Sequence, residues 1–374
     1  MKIAFVLPHG WRFSGWSLHD VMTRYHFSKH LAAAISERGH RVTLFLVHEE
    51  LARPRIVQTD PFRVEALPVT SRVPFLKFGG ELSIPLLRRL REAEAQVVHI
   101  HGCFDEVLPL LLLAARSPTV LHWHGGRLMP FHRTVFRRAC RRARRVIVPF
   151  PGAREGLRGV IPEDDKFETI PLPMRPEAAA ARPRNRYGMS RRLLYVGRIP
   201  TPRRNIWERR PDLLVRMLGQ PPLTDVVLDV VGDGPGRSIC EKVASEAHVA
   251  DRVRFHGFLG LRDAMTFYQE ADLTVVPCAL MDLTGTWGGQ VQESLAVGTP
   301  VVAFHPDGGF TDHACGWRIS ADPSEGASRL SDILSQPALI EAKGRQAVGV
   351  VRTACDEREV ARRLEALYEG LAAA

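Results

Sequence analysis

Residues 284–303 read Thr-Gly-Thr-Trp-Gly-Gly-Gln-Val-Gln-Glu-Ser-Leu-Ala-Val-Gly-Thr-Pro-Val-Val-Ala, and this stretch carries the strongest structural signal in the chain. It predicts a glycine-rich turn, a short helix, and a β-branched strand after the Gly298-Thr-Pro300 break. Glycines at a helix entrance let backbone N–H groups approach an anion, which the helix N-terminus also favours. Glu293 lies in the first turns of that helix, where its carboxylate can bind hydroxyl groups. The segment therefore predicts a nucleotide-sugar site.

The rest of the chain alternates predicted strands and helices. Apolar strands are predicted at 2–7, 41–47, 96–101, 118–124 and 145–149, and then at 193–196, 225–231, 253–256, 273–277 and 299–304. Helical spacing of apolar residues occurs at 26–38 and 357–371. Strands with near-continuous apolar runs between helices are typical of an α/β protein whose parallel sheets are covered on both faces. Ligands of such sheets bind beyond the carboxyl ends of the strands.

Turn motifs follow the strands of the second half in a recognisable order. They are Val-Gly-Arg at 196–198, Gly-Asp-Gly-Pro at 232–235, Phe-His-Gly at 255–257 and Gly-Thr-Pro-Val-Val at 298–302. With the 284–303 segment they resemble the donor-binding signature of GT-B glycosyltransferases of the retaining family 4 type. That signature reads Glu-x-Phe-Gly-x-x-x-x-Glu-Ala-x-Ala-x-Gly-x-Pro-Val-Val. Trp287-Gly288 stands at Phe-Gly and Glu293 at the second Glu, while Gly285 replaces the first Glu.

The resemblance implies a GT-B fold of two Rossmann-like, doubly wound domains that face each other across a cleft. The segment before residue 190 is rich in Pro, Ala and Arg and has no apolar periodicity, which indicates a boundary. The predicted parts are an acceptor-binding domain at 1–175, a linker at 176–190, a nucleotide-sugar-binding domain at 191–355, and a C-terminal helix at 356–374 that can pack back on the first domain.

The resemblance also implies the site residues. His124 resembles the histidine of a Thr-x-His-Gly turn at the reaction centre, and Arg198 and Arg203 match the pair of cations that clamps a diphosphate. The residues predicted to contact the donor are Gly15, Gly232, Gly257, Phe258, Leu259, Gly285, Thr286, Trp287, Gly288, Gly289 and Glu293. Trp16 stands where the family has a second glycine after Gly15. We expect its bulky indole to change the shape of the entrance to the acceptor or donor site. The alternative for Arg203, Arg204, Arg209 and Arg210 is a solvated basic face.

The family needs no cofactor and no bound metal, and we expect neither; a UDP-sugar is the expected donor substrate. His99, His101, His122 and His124 follow neighbouring predicted strands and could bind a metal instead. No carboxylate stands near them at ligand spacing. We interpret His99 and His122 as polar strand residues. We expect each to point to the opposite face of the sheet from the histidine two positions later, His101 and His124 respectively.

The predicted activity is transfer of a hexose or pentose from a nucleotide diphosphate sugar to an acceptor hydroxyl, with retention of configuration. A glycine at position 285 cannot bind sugar hydroxyls through a side chain, which indicates an atypical donor sugar. The alternatives are a catalytically weak nucleotide-sugar-binding or scaffold subunit, which the loss of that Glu favours, and a nucleotide-sugar epimerase or hydrolase. The expected context is bacterial glycan or glycoconjugate biosynthesis.

Charge is distributed unevenly along the chain. Residues 1–175 contain 27 Lys and Arg against 16 Asp and Glu, a net charge of +11, so the remainder of the +10 total is −1. Many of these cations lie in 131–146, where Phe131, Val135, Phe136, Ala139, Ala143 and Val146 have helical spacing. We predict that this segment contacts an anionic membrane, consistent with a sugar, lipid-linked or small-molecule acceptor and with no nucleic-acid partner. The alternative is a helix that packs on the core with a solvated arginine face.

The expected compartment is the cytoplasm, with peripheral contact at the inner face of the membrane. The six cysteines are scattered and form no Cys-x-x-Cys motif, which is typical of reduced thiols rather than a disulfide framework. The N-terminal apolar run is too short for a signal segment or membrane span. The apolar run at 107–115 predicts a buried helix.

Overall fold

The computed structural model describes residues 1–11, 15–24, 26–72, 81–102, 107–123, 133–150, 154, 157, 159–185, 190–201, 209–277, 289–304 and 315–373. The chain divides into two units, Met1–Pro173 with Glu357–Ala374, and Met174–Asp356. Each unit has its own largely parallel sheet and its own buried apolar core.

The first unit is built on an eight-stranded sheet. Its strands are β1 (Lys2–Leu7), β2 (Arg41–His48), β3 (Arg55–Gln58), β4 (Arg63–Pro68), β7 (Val97–Gly102), β8 (Thr119–Trp123), β9 (Arg145–Val148) and β10 (Phe167–Thr169), and β5 (Ser71–Arg72) pairs separately with β6 (Glu81–Leu82). The order across the sheet is β10-β9-β8-β7-β1-β2-β4-β3, and only the β3–β4 pair is antiparallel. Strands such as β1 are apolar along their length because helices cover both faces of a parallel sheet.

The helices of the first unit are α1 (Leu18–Thr23), α2 (Phe27–Glu37), α3 (Ile84–Glu92), α4 (Leu108–Ala114), α5 (Arg133–Cys140) and α13 (Glu357–Ala372). The helix at the end of the chain, α13, packs against α2. Its buried stripe consists of Val360, Leu364, Tyr368 and Leu371, which follow the helical period. The C-terminal segment therefore belongs to the core of the first unit, although it comes last in the sequence.

The second unit has a six-stranded parallel sheet. Its strands are β11 (Arg192–Val196), β12 (Val227–Val231), β13 (Val253–Gly257), β14 (Leu273–Val276), β15 (Val301–Ala303) and β16 (Gly316–Arg318), and its helices are α6 (Pro176–Ala180), α7 (Pro211–Leu218), α8 (Arg237–Glu246), α9 (Leu261–Glu270), α10 (Gly289–Ala296), α11 (Pro323–Leu334) and α12 (Pro337–Ala354). The strand order is β13-β12-β11-β14-β15-β16. This order reverses direction between β11 and β14, and ligands of doubly wound sheets bind at that switch point.

The segment predicted as a linker, residues 176–190, begins with a helix in the structure and not with an irregular connection. Residues 176–180 form α6, whose Ala178 is buried, and the Arg184 guanidinium lies 3.4 Å from the buried Asp272 carboxylate. Both features lie within the second unit. An alanine run with proline at its first position favours a helix, so it forms one without apolar periodicity.

The apolar run at 107–115 differs from its prediction in one respect. It forms α4, and Leu108, Leu111 and Leu112 are buried, but Leu110 and Leu113 remain 42% and 59% exposed. A helix that packs on a sheet buries only the side that faces the sheet. Because α4 has leucines on every side, those on its outer side remain at the surface. Within the described residues, no helix combines the length and the apolar character that crossing a membrane requires.

Candidate functional site

The glycine turns after β11, β12 and β13 pack against each other at one edge of the second sheet. Gly197 N donates to Val231 O at 2.9 Å, and Gly232 N donates to Gly257 O at 2.7 Å. A Cβ atom added to Gly232 would lie 2.0 Å from Gly197 O, and the φ of Gly232 is +132°. Only glycine fits such a backbone contact. Gly232 and Gly257 thus shape the edge by close backbone packing.

Arg198 follows this turn directly. The buried Tyr195 hydroxyl donates to Arg198 O at 2.6 Å, which fixes the backbone beyond the strand. The Arg198 side chain is exposed at the carboxyl end of β11. Phe258, which is 83% exposed, and the half-buried Leu259 follow β13 at the same edge. The structure therefore brings together Arg198, Gly232, Gly257, Phe258 and Leu259.

Glu293 is a buried carboxylate in the second turn of α10. It is 6% exposed, the Tyr268 hydroxyl donates to its Oε2 at 2.9 Å, and Arg175 Nη1 lies 3.8 Å from its Oε1. A Cβ added to Gly289 would lie only 2.9 Å from Glu293 Oε1, so the missing side chain of Gly289 leaves room for the carboxylate at the helix entrance.

The pKa of Glu293 is raised, chiefly because burial disfavours its charged form, while the Tyr268 hydroxyl and the Arg175 charge act in the opposite direction. The pKa of Tyr268 is held well above its ordinary value by burial and then by Glu293. Tyr268 is thus a hydroxyl donor to Glu293, which leaves the other carboxylate lone pairs for a ligand.

Three residues at this edge were not predicted as site residues. Tyr268 and Arg175 contact Glu293, and Arg209 Nη2 donates to Gln290 Oε1 at 3.3 Å. Arg209 also lies so close to Gly197 that a Cβ there would be 2.1 Å from its Nη1. No local signal in the sequence marks these residues. Arg175 and Tyr268 reach Glu293 because α6 and α9 pack against α10, and Arg209 is held by its bond to Gln290.

A solvated basic face was the alternative for the arginines after β11. This alternative is wrong for Arg209 and Arg210, because both are partly buried and paired. Arg209 is half-buried against Gln290, and Arg210 makes two bonds of 2.6 and 2.8 Å to the buried Asp212. A carboxylate two positions ahead on the first turn of α7 fixes Arg210 locally. Arg203 and Arg204 lie outside the described residues, as do the predicted site residues His124, Gly285, Thr286, Trp287 and Gly288.

Gly15 lies in the loop after β1 of the first unit. It is exposed with φ +66°, and no atom lies within 4 Å of an added Cβ. The following Trp16 stacks on Trp11 with ring centroids 5.6 Å apart and an interplanar angle of 7°, and the Arg24 guanidinium lies 5.4 Å from the Trp16 ring. The indole at position 16 therefore builds an aromatic stack in this loop.

Three strand histidines of the first unit form a buried cluster, and the prediction that they point to opposite faces was wrong. Residues two apart in a strand point to the same face. The rings of His99 and His101 accordingly stack with centroids 4.1 Å apart, and His99 stacks with His122 of the neighbouring strand at 5.2 Å. His99 Nδ1 also pairs with the Tyr368 hydroxyl of α13 at 2.5 Å.

The potential ligand nitrogens of His99, His101 and His122 all lie within 4.8 Å of one another, so these residues could hold a metal. Their near-parallel ring planes, 14° and 22° apart for the two pairs with His99, favour a packed stack, since a metal binds in the plane of each ring. Burial lowers the pKa of His122 to about 3 and holds that of His99 well below its usual value. Both imidazoles are therefore neutral at neutral pH.

Two sequence families match the chain. Residues 26–173 match the Glycosyl transferase 4-like domain, and residues 190–336 match Glycosyl transferases group 1. The D-inositol 3-phosphate glycosyltransferase of Thermomonospora curvata is 35% identical over 205 residues, which cover 50% of this chain and 45% of that protein. The chain thus spans less than half the length of this curated relative.

Solved structures share the fold along the whole chain. Sucrose-phosphate synthase from Thermosynechococcus elongatus has a TM-score of 0.69 at 20% identity, covering 100% of this chain and 99% of that one. Anabaena HepE in complex with UDP has a TM-score of 0.66 at 17% identity, covering 99% and 100%. These likenesses confirm the predicted fold class, two Rossmann-like α/β domains of the GT-B type.

Proposed function

The chain belongs to the group 1 glycosyltransferases, and we propose that it transfers a sugar from a nucleotide diphosphate sugar to an acceptor hydroxyl with retention of configuration. The observation that carries this proposal is the buried Glu293 carboxylate at the entrance of α10, next to the β11–β14 switch point. In the family this Glu binds the ribose of the donor. Tyr268 and Arg175 orient it without occupying all of its lone pairs.

Arg198 and the N-terminus of α10 are proposed to stabilise the leaving diphosphate. Breaking the sugar–phosphate bond develops negative charge on the leaving oxygen, and donors placed in advance at that position lower the barrier. Arg203 and the amides of Gly288 and Gly289 complete the proposed clamp, and His124 is proposed to bind a substrate hydroxyl at the reaction centre. The leaving phosphate itself takes the acceptor proton, so no dedicated carboxylate base is required.

A nucleotide-sugar panel tests this function. UDP-, GDP-, ADP- and dTDP-sugars are added separately, and the melting temperature and the release of nucleoside diphosphate are measured. A bound donor raises the melting temperature by mass action, and UDP-sugars are the expected ligands, as HepE was solved with UDP. Binding without turnover would support a scaffold subunit, and consumption of the donor without an acceptor would support an epimerase or hydrolase. No shift with any sugar would contradict the donor site.

We further propose that the donor is atypical at the place facing Gly285. A sugar hydroxyl left without its partner in a buried site costs about 1–3 kcal/mol. A deoxy, amino or pentose sugar avoids this cost, so the wild type should use ordinary UDP-glucose poorly. Gly285→Glu should not improve the native donor, because its carboxylate would be buried without partners. Preference of the wild type for UDP-glucose, raised further by Gly285→Glu, would instead indicate simple erosion of the motif.

We propose that the protein contacts an anionic membrane, but through a different apolar surface from the stripe predicted in residues 131–146. Phe136, Ala139, Ala143 and Val146 are buried, so the described part of the predicted stripe packs on the core. Phe131 and the side chain of Val135 lie outside the described residues. The helix α5 carries the exposed Arg137 and Arg138 and packs against α4, whose leucines Leu110 and Leu113 are exposed. Leucines that enter the lipid beside arginines that bind headgroups are typical of a peripheral surface, as a lipid-linked acceptor would require.

The double variant Leu110→Ser/Leu113→Ser should bind anionic vesicles about tenfold more weakly than the wild type. Two half-exposed leucines contribute roughly 1–2 kcal/mol when they enter lipid. Flotation with phosphatidylglycerol and with phosphatidylcholine vesicles measures the effect, and Leu339→Ser, an exposed leucine of the second unit, is the matched control. If the wild type floated equally little with phosphatidylglycerol and with phosphatidylcholine vesicles, the proposed membrane contact would be contradicted.

A further inference from the structure

A cavity of about 480 Å³ lies within the first unit, between its sheet and α13. Four arginines line it: Arg144 and Arg145 at the start of β9, and Arg362 and Arg363 on α13. These two pairs are more than 200 positions apart in the sequence, so only the docking of α13 on this unit brings them together. This volume falls within the range of about 300–1,000 Å³ that small-molecule sites have.

The cavity has more positive than negative charge. Glu168 Oε1 lies 3.9 Å from Arg145 Nε, and Glu359 pairs with Arg362 at 2.7 Å. Four guanidinium groups against these two carboxylates leave an excess of two positive charges. Arg144, which is exposed, has no carboxylate within ion-pair distance in the described part of the chain. Four cations facing one space repel each other, and an anion between them would relieve that repulsion.

Part of the lining of the cavity is apolar. Ile170, Leu367 and Leu371 belong to its lining, and Ile170 and Leu371 are buried. A phosphate group alone would leave most of a cavity of this volume to water, whereas a ligand with an organic part would cover these side chains. The lining thus suits a molecule with an anionic head and a less polar body.

The cavity lies at the amino ends of two neighbouring strands of the first sheet. Pro118 precedes β8 and Arg145 begins β9, so the cavity opens at the amino ends of these strands, beside the edge strand β10. The predicted substrate loops of this unit follow the carboxyl ends of the same sheet. The cavity therefore lies at the opposite end of β8 and β9 from the predicted substrate loops of this unit.

We propose that this cavity is a second ligand site, which binds a phosphate monoester of a small organic molecule or the same group on a lipid headgroup. A phosphate monoester carries about −1.5 to −2 charges at pH 7, which matches the excess charge of the cavity. The guanidinium fork presents paired N–H donors that fit phosphate oxygens. Arg144, which is exposed, holds the phosphate with its fork. Arg362 adds the N–H groups that remain after its Nε and Nη2 donate to Glu359 at 2.8 and 2.7 Å, and the apolar part of the lining packs against the organic body.

Glycerol 3-phosphate is the soluble probe, titrated calorimetrically into the full chain with saturating UDP present to occupy any nucleotide site. We expect the wild type to bind it and the double variant Arg144→Gln/Arg362→Gln to bind it at least tenfold more weakly. The matched control is Arg53→Gln/Arg55→Gln, which removes two exposed arginines near β3, at the opposite edge of the same sheet. Circular dichroism and melting temperature check that all three proteins are folded.

Phosphatidylcholine vesicles with and without phosphatidic acid distinguish the two sources of the phosphate. Binding of glycerol 3-phosphate that only Arg144→Gln/Arg362→Gln weakens supports a free phosphorylated ligand. Selective binding to phosphatidic acid vesicles with the same loss supports a lipid headgroup. The proposal is overturned if the wild type binds neither probe, or if the control variant loses as much binding as the cavity variant.

Discussion

Glu293→Gln should lower kcat/KM for the nucleotide-sugar donor about a hundredfold. The ribose hydroxyls would lose charge-assisted hydrogen bonds to the carboxylate, each worth about 1.5–3 kcal/mol. These bonds exist both in the bound donor and in the transition state, so the loss should appear mainly as a raised donor KM. Steady-state kinetics with the donor identified by the panel, at saturating acceptor, measure it.

The fold should tolerate this substitution. Burial raises the pKa of Glu293, so an uncharged amide of the same shape costs the unoccupied protein little, and the melting temperature without donor should not fall. Glu270→Gln is the matched control, since Glu270 pairs with Arg192 at the surface of the same unit and should keep wild-type kinetics. Wild-type donor KM and kcat in Glu293→Gln would show that the carboxylate does not bind the donor.

Arg198→Ala should reduce nucleotide-sugar use by at least tenfold. A guanidinium bond to phosphate contributes about 1.5–3 kcal/mol, and charge develops on the leaving phosphate in the transition state. The loss should therefore appear in kcat as well as in KM. Single-turnover measurement of nucleoside diphosphate release separates the chemical step from binding.

Two further variants sharpen this prediction. Arg198→Lys keeps the charge but not the paired donors, so it should recover only part of the lost rate. Arg329→Ala removes an exposed arginine of α11 in the same unit and should behave as the wild type. If purified Arg198→Ala kept wild-type turnover, the diphosphate clamp would have to be placed elsewhere.

Much of the fold could be predicted because its signals are local. The strand predicted at 2–7 is β1, and the amphipathic helix predicted at 357–371 is α13, which ends one residue later. Several strands were missed. Among them β3, β10 and β16 have only three or four residues and β5 and β6 only two, too few for a distinct period, but β4 was missed although it has six. Their strand state comes from pairing with a neighbour, which no local pattern reports.

The sequence by itself determined the fold class and the family, because alternating apolar runs and the order of the turn motifs are written along the chain. It also predicted Arg198, Gly232 and Glu293 as site residues, from their residue types and from the spacing of the motifs. Only the tertiary structure decided what meets them. Tyr268 and Arg175 reach Glu293, Tyr368 reaches His99, and arginines of α13 join those of β9. Such contacts depend on strand order and helix docking, and periodicity within one segment does not encode them.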